Sequence, residues 1–175
     1  MSSVETNPLN EFSGCHSGII KHLQLLADLP KHLADVSKTQ QEAQKIINFF
    51  HQVVLEHHKE EEEELFEAVR APLKAEPQQA QRIKEQAQRL TQEHRHLEQL
   101  WSQLEPALKK LAKGKTTALD QGLIEQLTQS YFKHAEFEEN EFLPLAAQVL
   151  DGNGLSALGL SLHMRHQDTQ YRAYI

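Results

Sequence analysis

Along most of the chain, apolar residues recur every three or four positions, the spacing that places them on one face of an α-helix. Four stretches follow this period, and none alternates apolar and polar residues as a half-buried strand would. The predicted helices run from Asn10 or Ser13 to Pro30, from Ser37 or Thr39 to Arg70, from Pro77 to Lys113, and from Thr116 or Thr117 to Asp151. Their short connections predict an all-α fold, an antiparallel up-down four-helix bundle.

The two ends of the chain lie outside this pattern. Residues 1–9 are expected to be a flexible leader, residues 10–152 the four-helix bundle, and residues 153–175 a C-terminal helical extension. The extension predicts a short extra helix whose His163 and His166 are surface residues rather than ligands. Within the fourth helix, Pro144 is expected to cause a kink, because proline has no backbone N–H to donate.

The sequence contains 11 histidines, and one in each predicted helix shares the phase of the apolar residues. These four are His16, His57, His94 and His134. His58 is rotated by about 100° from His57, so the helical phase predicts that His57 faces the core and that His58 does not. The same argument leaves four other histidines outside the core: His22, His32, His51 and His96.

Two glutamates fall on the same faces as these histidines. Glu61 follows His57 by four residues and Glu138 follows His134 by four, which places each glutamate about one turn from its histidine. The run 60–64 is all glutamate and is expected to face solvent apart from Glu61. Glu98, four residues after His94, could also lean inward.

The interior histidines also agree in height. His57, His94 and His134 each fall close to the middle of a predicted helix, and the midpoints of an up-down bundle share one level. His16 lies nearer the start of its helix and fits only if that helix begins early or its register is shifted. One interior layer is therefore predicted, formed by His16, His57, Glu61, His94, His134 and Glu138.

A metal site explains such a layer better than four hydrogen-bonded core histidines do. Burying two carboxylates without a cation costs several kcal/mol each, whereas neutral imidazoles and carboxylates are natural metal ligands. Nitrogen and oxygen donors without thiolate suit iron, manganese or zinc. Four histidines and two bridging carboxylates divide between two ions about 3.5–4 Å apart. An oxo or hydroxo bridge then leaves a position open for dioxygen, nitric oxide or peroxide.

Composition restricts the remaining possibilities. The net charge is −7 and no basic patch recurs, so a nucleic acid partner is not expected. No signal peptide and no membrane-spanning apolar run are evident, and the cytoplasm is the expected location. Cys15 is the single cysteine, which excludes an internal disulfide and a multi-thiolate metal site. We interpret Cys15 as a small buried apolar residue.

Four motifs resemble the hemerythrin-like (HHE cation-binding) domain family over residues 12 to about 147. They are Cys15-His16-x-x-Ile19, His57-x-x-x-Glu61-Glu62-x-x-Leu65-Phe66, Glu93-His94-x-x-Leu97 and His134-x-x-x-Glu138-Glu139-x-x-Phe142-Leu143-Pro144. The resemblance implies an antiparallel four-helix bundle around a non-haem centre of two iron ions.

The sequence also departs from known branches of that family. Oxygen-carrying hemerythrins have a fifth histidine in the third helix, where this chain has Glu98. The four-histidine, two-glutamate set is more similar to di-iron proteins implicated in iron–sulfur cluster repair, but the cysteine-containing amino-terminal domain of those proteins is not in this sequence. The resemblance therefore transfers neither oxygen transport nor cluster repair.

Four functions remain open at this point. The leading hypothesis is a di-iron module that binds or senses dioxygen or nitric oxide. A second is a redox enzyme, such as a peroxidase, an oxidase or a nitric-oxide reductase, in which Tyr131 near His134 serves as a redox or proton-donating group. An iron-handling protein and a metal-free structural bundle are the other two. No feature of the sequence indicates a protein partner.

Overall fold

The computed structural model describes residues 7–71 and 76–168, with side chains as far as residue 165. Within these ranges the chain forms five helices and no strand. They are α1 (Leu9–Asp28), α2 (36–70), α3 (Pro77–Ala112), α4 (121–149) and α5 (Gly152–Asp168). The all-α prediction is confirmed. No helix in the described part of the chain is long and apolar enough to cross a membrane.

Two of the five helices contain wider, π-helical turns. In α2 the α-helical segments are Val36–Phe49, Leu55–Glu60 and Phe66–Arg70, separated by π turns at Phe50–Val54 and Glu61–Leu65. In α4 the segments Gln121–Phe137 and Leu143–Val149 flank a π turn at Glu138–Phe142. A π turn closes an i→i+5 hydrogen bond and so contains an extra residue, which shifts the helical phase of everything after it.

The first helix begins earlier than its sequence suggests. Leu9 is already helical and buried, and the side-chain oxygen of Asn7 accepts a hydrogen bond from its backbone N–H at 3.1 Å. The helix ends at Asp28 and continues as a 3-10 turn through Pro30, as predicted. Of the predicted leader, residues 1–6 lie outside the described part of the chain. The early start brings His16 close to the middle of α1.

Aspartates cap α2 and α4. The side chain of Asp35 accepts from the backbone N–H of Lys38, and that of Asp120 accepts from Leu123, both at 3.0 Å. Aspartate is among the best N-cap residues because its oxygen pairs with an otherwise unsatisfied N–H of the first turn. The predicted caps are therefore wrong; these were Ser37 or Thr39 and Thr116 or Thr117.

The third helix ends where predicted, at a glycine. Gly114 has φ 69°, in the left-handed region, and its N–H donates to the carbonyl of Leu111 at 2.8 Å. This is the usual conformation of the residue just after a helix, and only glycine adopts it without a Cβ penalty.

Side-chain contacts show that neighbouring helices run antiparallel. Residue numbers rise along α2 while those of their partners on α3 fall: His51 with Glu105, His58 with Glu98, and Glu62 with His94. The same order relates α3 to α4 (Arg82 with Glu141, Arg89 with Phe137) and α1 to α2 (Phe12 with His57, His22 with Phe49). The first four helices thus form the predicted up-down bundle.

Two apolar clusters fill the bundle, one at each end. The first includes Ile19, Leu23, Phe49, Phe50, Leu97, Trp101, Leu127 and Tyr131. The second includes Phe12, Leu65, Phe66, Leu90, Phe142 and Ala146. The predicted ligand residues lie between these clusters along every helix, so the candidate site is a polar layer enclosed by apolar packing.

The fifth helix closes the bundle over the second cluster. Leu158 and Leu162 are buried in that cluster, while His163 is exposed, as predicted. Arg165 donates to the carboxylate of Glu63 at 2.9 Å and lies 3.8 Å from that of Glu60. Glu60 is consequently buried, so the expectation that only Glu61 of this run faces inward is wrong. Arg165, a cation on α5, makes this burial possible, and the periodicity of α2 alone cannot indicate a partner on another helix.

Candidate metal centre

The six predicted ligand residues meet in one buried layer. None of them is more than 3 % exposed: His16, His57, Glu61, His94, His134 and Glu138. Each of the first four helices contributes at least one residue. Helical phase alone was sufficient to find this set, because each residue continues an apolar stripe of its own helix.

Each buried glutamate joins histidines of two different helices. Glu61 of α2 lies against His57 of its own helix and His94 of α3, and Glu138 of α4 lies against His134 and against His16 of α1. The Nε2-to-carboxylate distances are 2.9 Å (His57–Glu61), 3.0 Å (His94–Glu61), 3.3 Å (His16–Glu138) and 3.7 Å (His134–Glu138). In addition, Nε2 of His16 and Nε2 of His57 are 3.1 Å apart.

Both glutamates open a π turn. The carbonyl of Glu61 accepts from the N–H of Phe66, and that of Glu138 accepts from Leu143, each an i→i+5 bond. Pro144 follows the second of these turns and has no N–H for the regular bond to the carbonyl four residues earlier. Single π turns inside α-helices are frequent at functional sites.

A second set of glutamates holds the outer nitrogens of the histidines. Nδ1 of His16 contacts Glu139 at 2.8 Å, Nδ1 of His94 contacts Glu62 at 2.8 Å, and Nδ1 of His134 contacts Glu93 at 3.0 Å. Such a carboxylate fixes the ring so that Nε2 faces the interior, which is the usual arrangement around histidine metal ligands. We call Glu62, Glu93 and Glu139, together with Glu98, which contacts Nδ1 of His58, the rim glutamates.

The sequence contained a signal for two of the rim glutamates. Glu62 and Glu139 are the second members of the Glu-Glu pairs that begin with Glu61 and Glu138. One member faces the interior, and the other reaches a histidine on a different helix. Helical periodicity within one segment cannot show this role, because the partner is on another element.

His58 is also in the layer, and the prediction that it lies outside is wrong. Its side chain is 1 % exposed, and its ring stacks on that of His94 with centroids 4.1 Å apart. Nδ1 of His58 contacts the rim residue Glu98 at 3.2 Å, and Nε2 lies 3.3 Å from the hydroxyl of Tyr131. His57 faces His16 of α1, and the rotation of about 100° turns His58 toward His94 and Glu98 of α3 rather than toward solvent.

The remaining predictions about histidines stand where the structure describes them. His51 and His96 are exposed, and His22 and His32 are only partly buried, away from the layer. The side chain of His166 lies outside the described residues. Glu98, for which the sequence left an inward position open, lies at the rim of the layer and contacts His58.

The carboxylates favour the protonated form of two histidines of the layer, His16 and His94, in the metal-free protein. Burial lowers the pKa of His16, but its contacts with Glu138 and Glu139 outweigh burial and raise the pKa to about 9. The pKa of His94 is likewise raised to about 9, by Glu61 and Glu62 against the effect of burial. Conversely, burial raises the pKa of Glu61, but His57 and His94 outweigh it and hold the pKa well below its usual value.

His58 behaves in the opposite way. Burial, followed by repulsion from His94, lowers its pKa well below the usual value, so the ring is neutral. A neutral imidazole is the form that binds metals.

The polar atoms of the layer lack enough hydrogen-bond partners. Among the described residues, both carboxylate oxygens of Glu61 and of Glu138, and Nε2 of His94 and His134, make no hydrogen bond of normal geometry. Buried carboxylates without well-formed hydrogen bonds are costly, and a metal ion would satisfy their oxygens in place of the protons on the imidazoles. The donor atoms fall into two groups, each within 4.8 Å: His16, His57, Glu61 and Glu138, and His58, His94 and His134. The residues present therefore fit a metal centre of nitrogen and oxygen ligands.

Comparison with known proteins agrees with this geometry. Residues 7–146 match the family described as the hemerythrin HHE cation binding domain, and the chain therefore belongs to that family. The match covers α1, α2, α3 and all but the last three residues of α4, and it includes every residue of the layer. A search of curated proteins found no match to the chain.

Proposed function

From its membership of a cation-binding family, we propose that the chain holds two iron ions in its buried layer. His16, His57, His94 and His134 are the nitrogen ligands, and Glu61 and Glu138 are the bridging carboxylates. The observation that supports this most is the set of four buried carboxylate oxygens that make no hydrogen bond of normal geometry and are enclosed by histidines from four helices. Manganese or zinc would satisfy the same donors, so metal identity is part of the test.

The contacts of the two glutamates support a bridging role. Glu61 reaches His57 with one oxygen and His94 with the other, and these histidines belong to different donor groups. Glu138 reaches His16 of one group and His134 of the other. Each carboxylate therefore connects the two groups.

The proposed ligand is a small diatomic molecule, dioxygen or nitric oxide. Non-haem iron supplies a redox-active centre with affinity for both gases. The protein contributes shielding, since the layer lies between two apolar clusters and its side chains are almost wholly buried. A larger substrate could not reach the layer without separating the helices. The rim glutamates accept hydrogen bonds from Nδ1–H of the imidazoles, so that Nε2 of each ring faces the interior.

A redox enzyme acting on peroxide or nitric oxide is the second candidate, and Tyr131 favours it. The ring of Tyr131 is fully buried and lies 5.5 Å, centroid to centroid, from the ring of His134. A phenol in this place could donate a proton or an electron to a molecule bound in the layer. Its replacement by phenylalanine should lower turnover without lowering ligand affinity.

The test uses the full chain, loaded with Fe(II) without oxygen and then exposed separately to nitric oxide, dioxygen and peroxide. A binding protein should give a reversible change in the optical and paramagnetic resonance spectra, in proportion to the iron content. Catalytic consumption of peroxide or nitric oxide would favour the enzyme. An iron-loaded protein whose spectra respond to none of the three would contradict both functions and leave only the metal centre.

A further inference from the structure

We propose that His58 is a fifth histidine ligand of the metal centre, supplied by α2 to the ion beside His94 and His134. This inference rests on the proposed function, because it adds a ligand to the proposed two-ion centre. It gives the two ions unequal surroundings, with three imidazoles at one ion and two at the other.

The three rings are placed to share an ion. His58, His94 and His134 each offer a nitrogen within 4.8 Å of the other two, and all three side chains are buried. The ring centroid of His58 is 4.1 Å from that of His94 and 6.0 Å from that of His134. The centroids of His94 and His134 are 4.9 Å apart.

The outer contact of His58 has the form seen at its neighbours. A rim glutamate holds Nδ1 of His16, His94 and His134, and Glu98 holds Nδ1 of His58 at 3.2 Å. A ring that donates its Nδ1–H to a carboxylate carries its lone pair on Nε2, which is the atom a metal takes. Glu98 is therefore the rim glutamate of a ligand rather than a ligand itself.

Tyr131 provides the competing explanation for the burial of His58. Its hydroxyl lies 3.3 Å from Nε2 of His58 and can donate a hydrogen bond to the same lone pair. A metal ion and this hydroxyl cannot both use that lone pair. If the hydrogen bond were the whole role of His58, loss of the hydroxyl and loss of the imidazole would have the same effect.

The experiment compares the full chain with the variants His58→Ala and Tyr131→Phe. Each is titrated with Fe(II) against a competing chelator without oxygen, and ⁵⁷Fe-loaded samples are measured by Mössbauer spectroscopy. Circular dichroism establishes that each variant is folded. For His58→Ala we expect one ion bound as in the parent chain and the other bound at least about 10–100-fold more weakly, which is the cost of losing even an outer-shell partner. Tyr131→Phe should bind both ions as the parent does.

Three results would overturn the proposal in distinguishable ways. If folded His58→Ala binds two ions with the parent's affinities, His58 is not a ligand and the proposed function is untouched. If Tyr131→Phe shows the same loss as His58→Ala, the hydrogen bond explains the burial of His58. If the parent chain itself binds no iron, the proposed function fails first and the fifth ligand fails with it.

Glu98→Gln keeps the proposal testable if His58→Ala does not fold. This change removes the carboxylate charge at a partly exposed position and leaves the imidazole in place. We expect about tenfold weaker binding of one ion and an unchanged affinity for the other. Two unchanged affinities would count against His58 as a ligand.

Discussion

The turn from His57 to Glu61 in α2 and the turn from His134 to Glu138 in α4 share one motif and one local geometry. In both, the histidine and the glutamate are buried, and the glutamate opens a π turn. A second glutamate comes next in each and reaches a histidine on a neighbouring helix. In each Glu-Glu pair, the first glutamate therefore faces the interior and the second is a rim glutamate.

The two helices differ in the turn before the motif and in the residue after its histidine. The second helix has an additional π turn, Phe50–Val54, shortly before His57, and the α-helix of α4 is regular from Gln121 to Phe137. The residue after His57 is His58, which enters the layer, and the residue after His134 is Ala135, which is buried but has no ligating atom. The position after the histidine is thus buried in both helices, and the residue type at that position, histidine or alanine, decides whether the motif supplies an additional nitrogen donor.

The largest effect on the metal centre is expected from removing the two buried carboxylates. Because each glutamate connects the two donor groups, Glu61→Ala and Glu138→Ala should each lose one or both metal ions. The loaded protein should also lose the thermal stabilisation that bound metal gives by linkage. Metal content per chain and the melting temperature with and without a chelator are the measurements. A variant that kept two ions and an unchanged spectrum would show that its glutamate does not bridge.

The buried layer should respond to pH in the metal-free protein, through histidines of α1 and α3. The pKa values of His16 and His94 are raised to about 9, so the folded state binds more protons than the unfolded state above pH 6.5, the usual histidine value. Stability is then full below that value and declines as pH rises through the folded pKa. We expect the melting temperature of the metal-free chain to fall by roughly 5 °C or more between pH 6.5 and 9.

Metal loading should flatten this pH profile, because bound ions replace the protons on the imidazoles. Melting curves of the metal-free and loaded chain over the same pH range test the prediction. A melting temperature of the metal-free chain that stayed level or rose from pH 6.5 to 9 would mean that the layer is not held by protonated histidines.

Substitutions of two rim glutamates test whether the two motifs have equivalent roles. Glu62→Gln and Glu139→Gln remove equivalent carboxylates, behind His94 and His16 respectively. Each should weaken metal binding about tenfold, and by similar amounts. Competition titrations with a chelator measure both. A loss confined to one variant would show that the Glu-Glu pairs are alike in sequence but not in role.

The smallest effect is expected at a histidine of the same helix that lies outside the layer. The exposed His51 contacts Glu105 on α3. His51→Ala should change the free energy of unfolding by no more than about 0.5 kcal/mol and leave the metal content unchanged. It is the matched control for His58→Ala, and a loss of metal here would undermine the assignment of ligands by burial.

The sequence predicts the helices and the six interior residues because each follows from periodicity within a single segment. Residues that depend on a second element were missed, such as Glu93, which holds His134, and Glu60, which Arg165 covers. His58 was missed for the same reason. Its burial depends on contacts with His94 and Glu98 of α3, which the periodicity of α2 cannot indicate.

The central claim is tested most directly by the metal content of the full chain, freshly purified and again after anaerobic loading with Fe(II). An optical spectrum is recorded before and after dithionite reduction and exposure to air. We predict about two iron ions per chain, with near-ultraviolet bands that dithionite bleaches and air restores. A folded chain that carries no metal when purified and takes up none on loading would contradict the account.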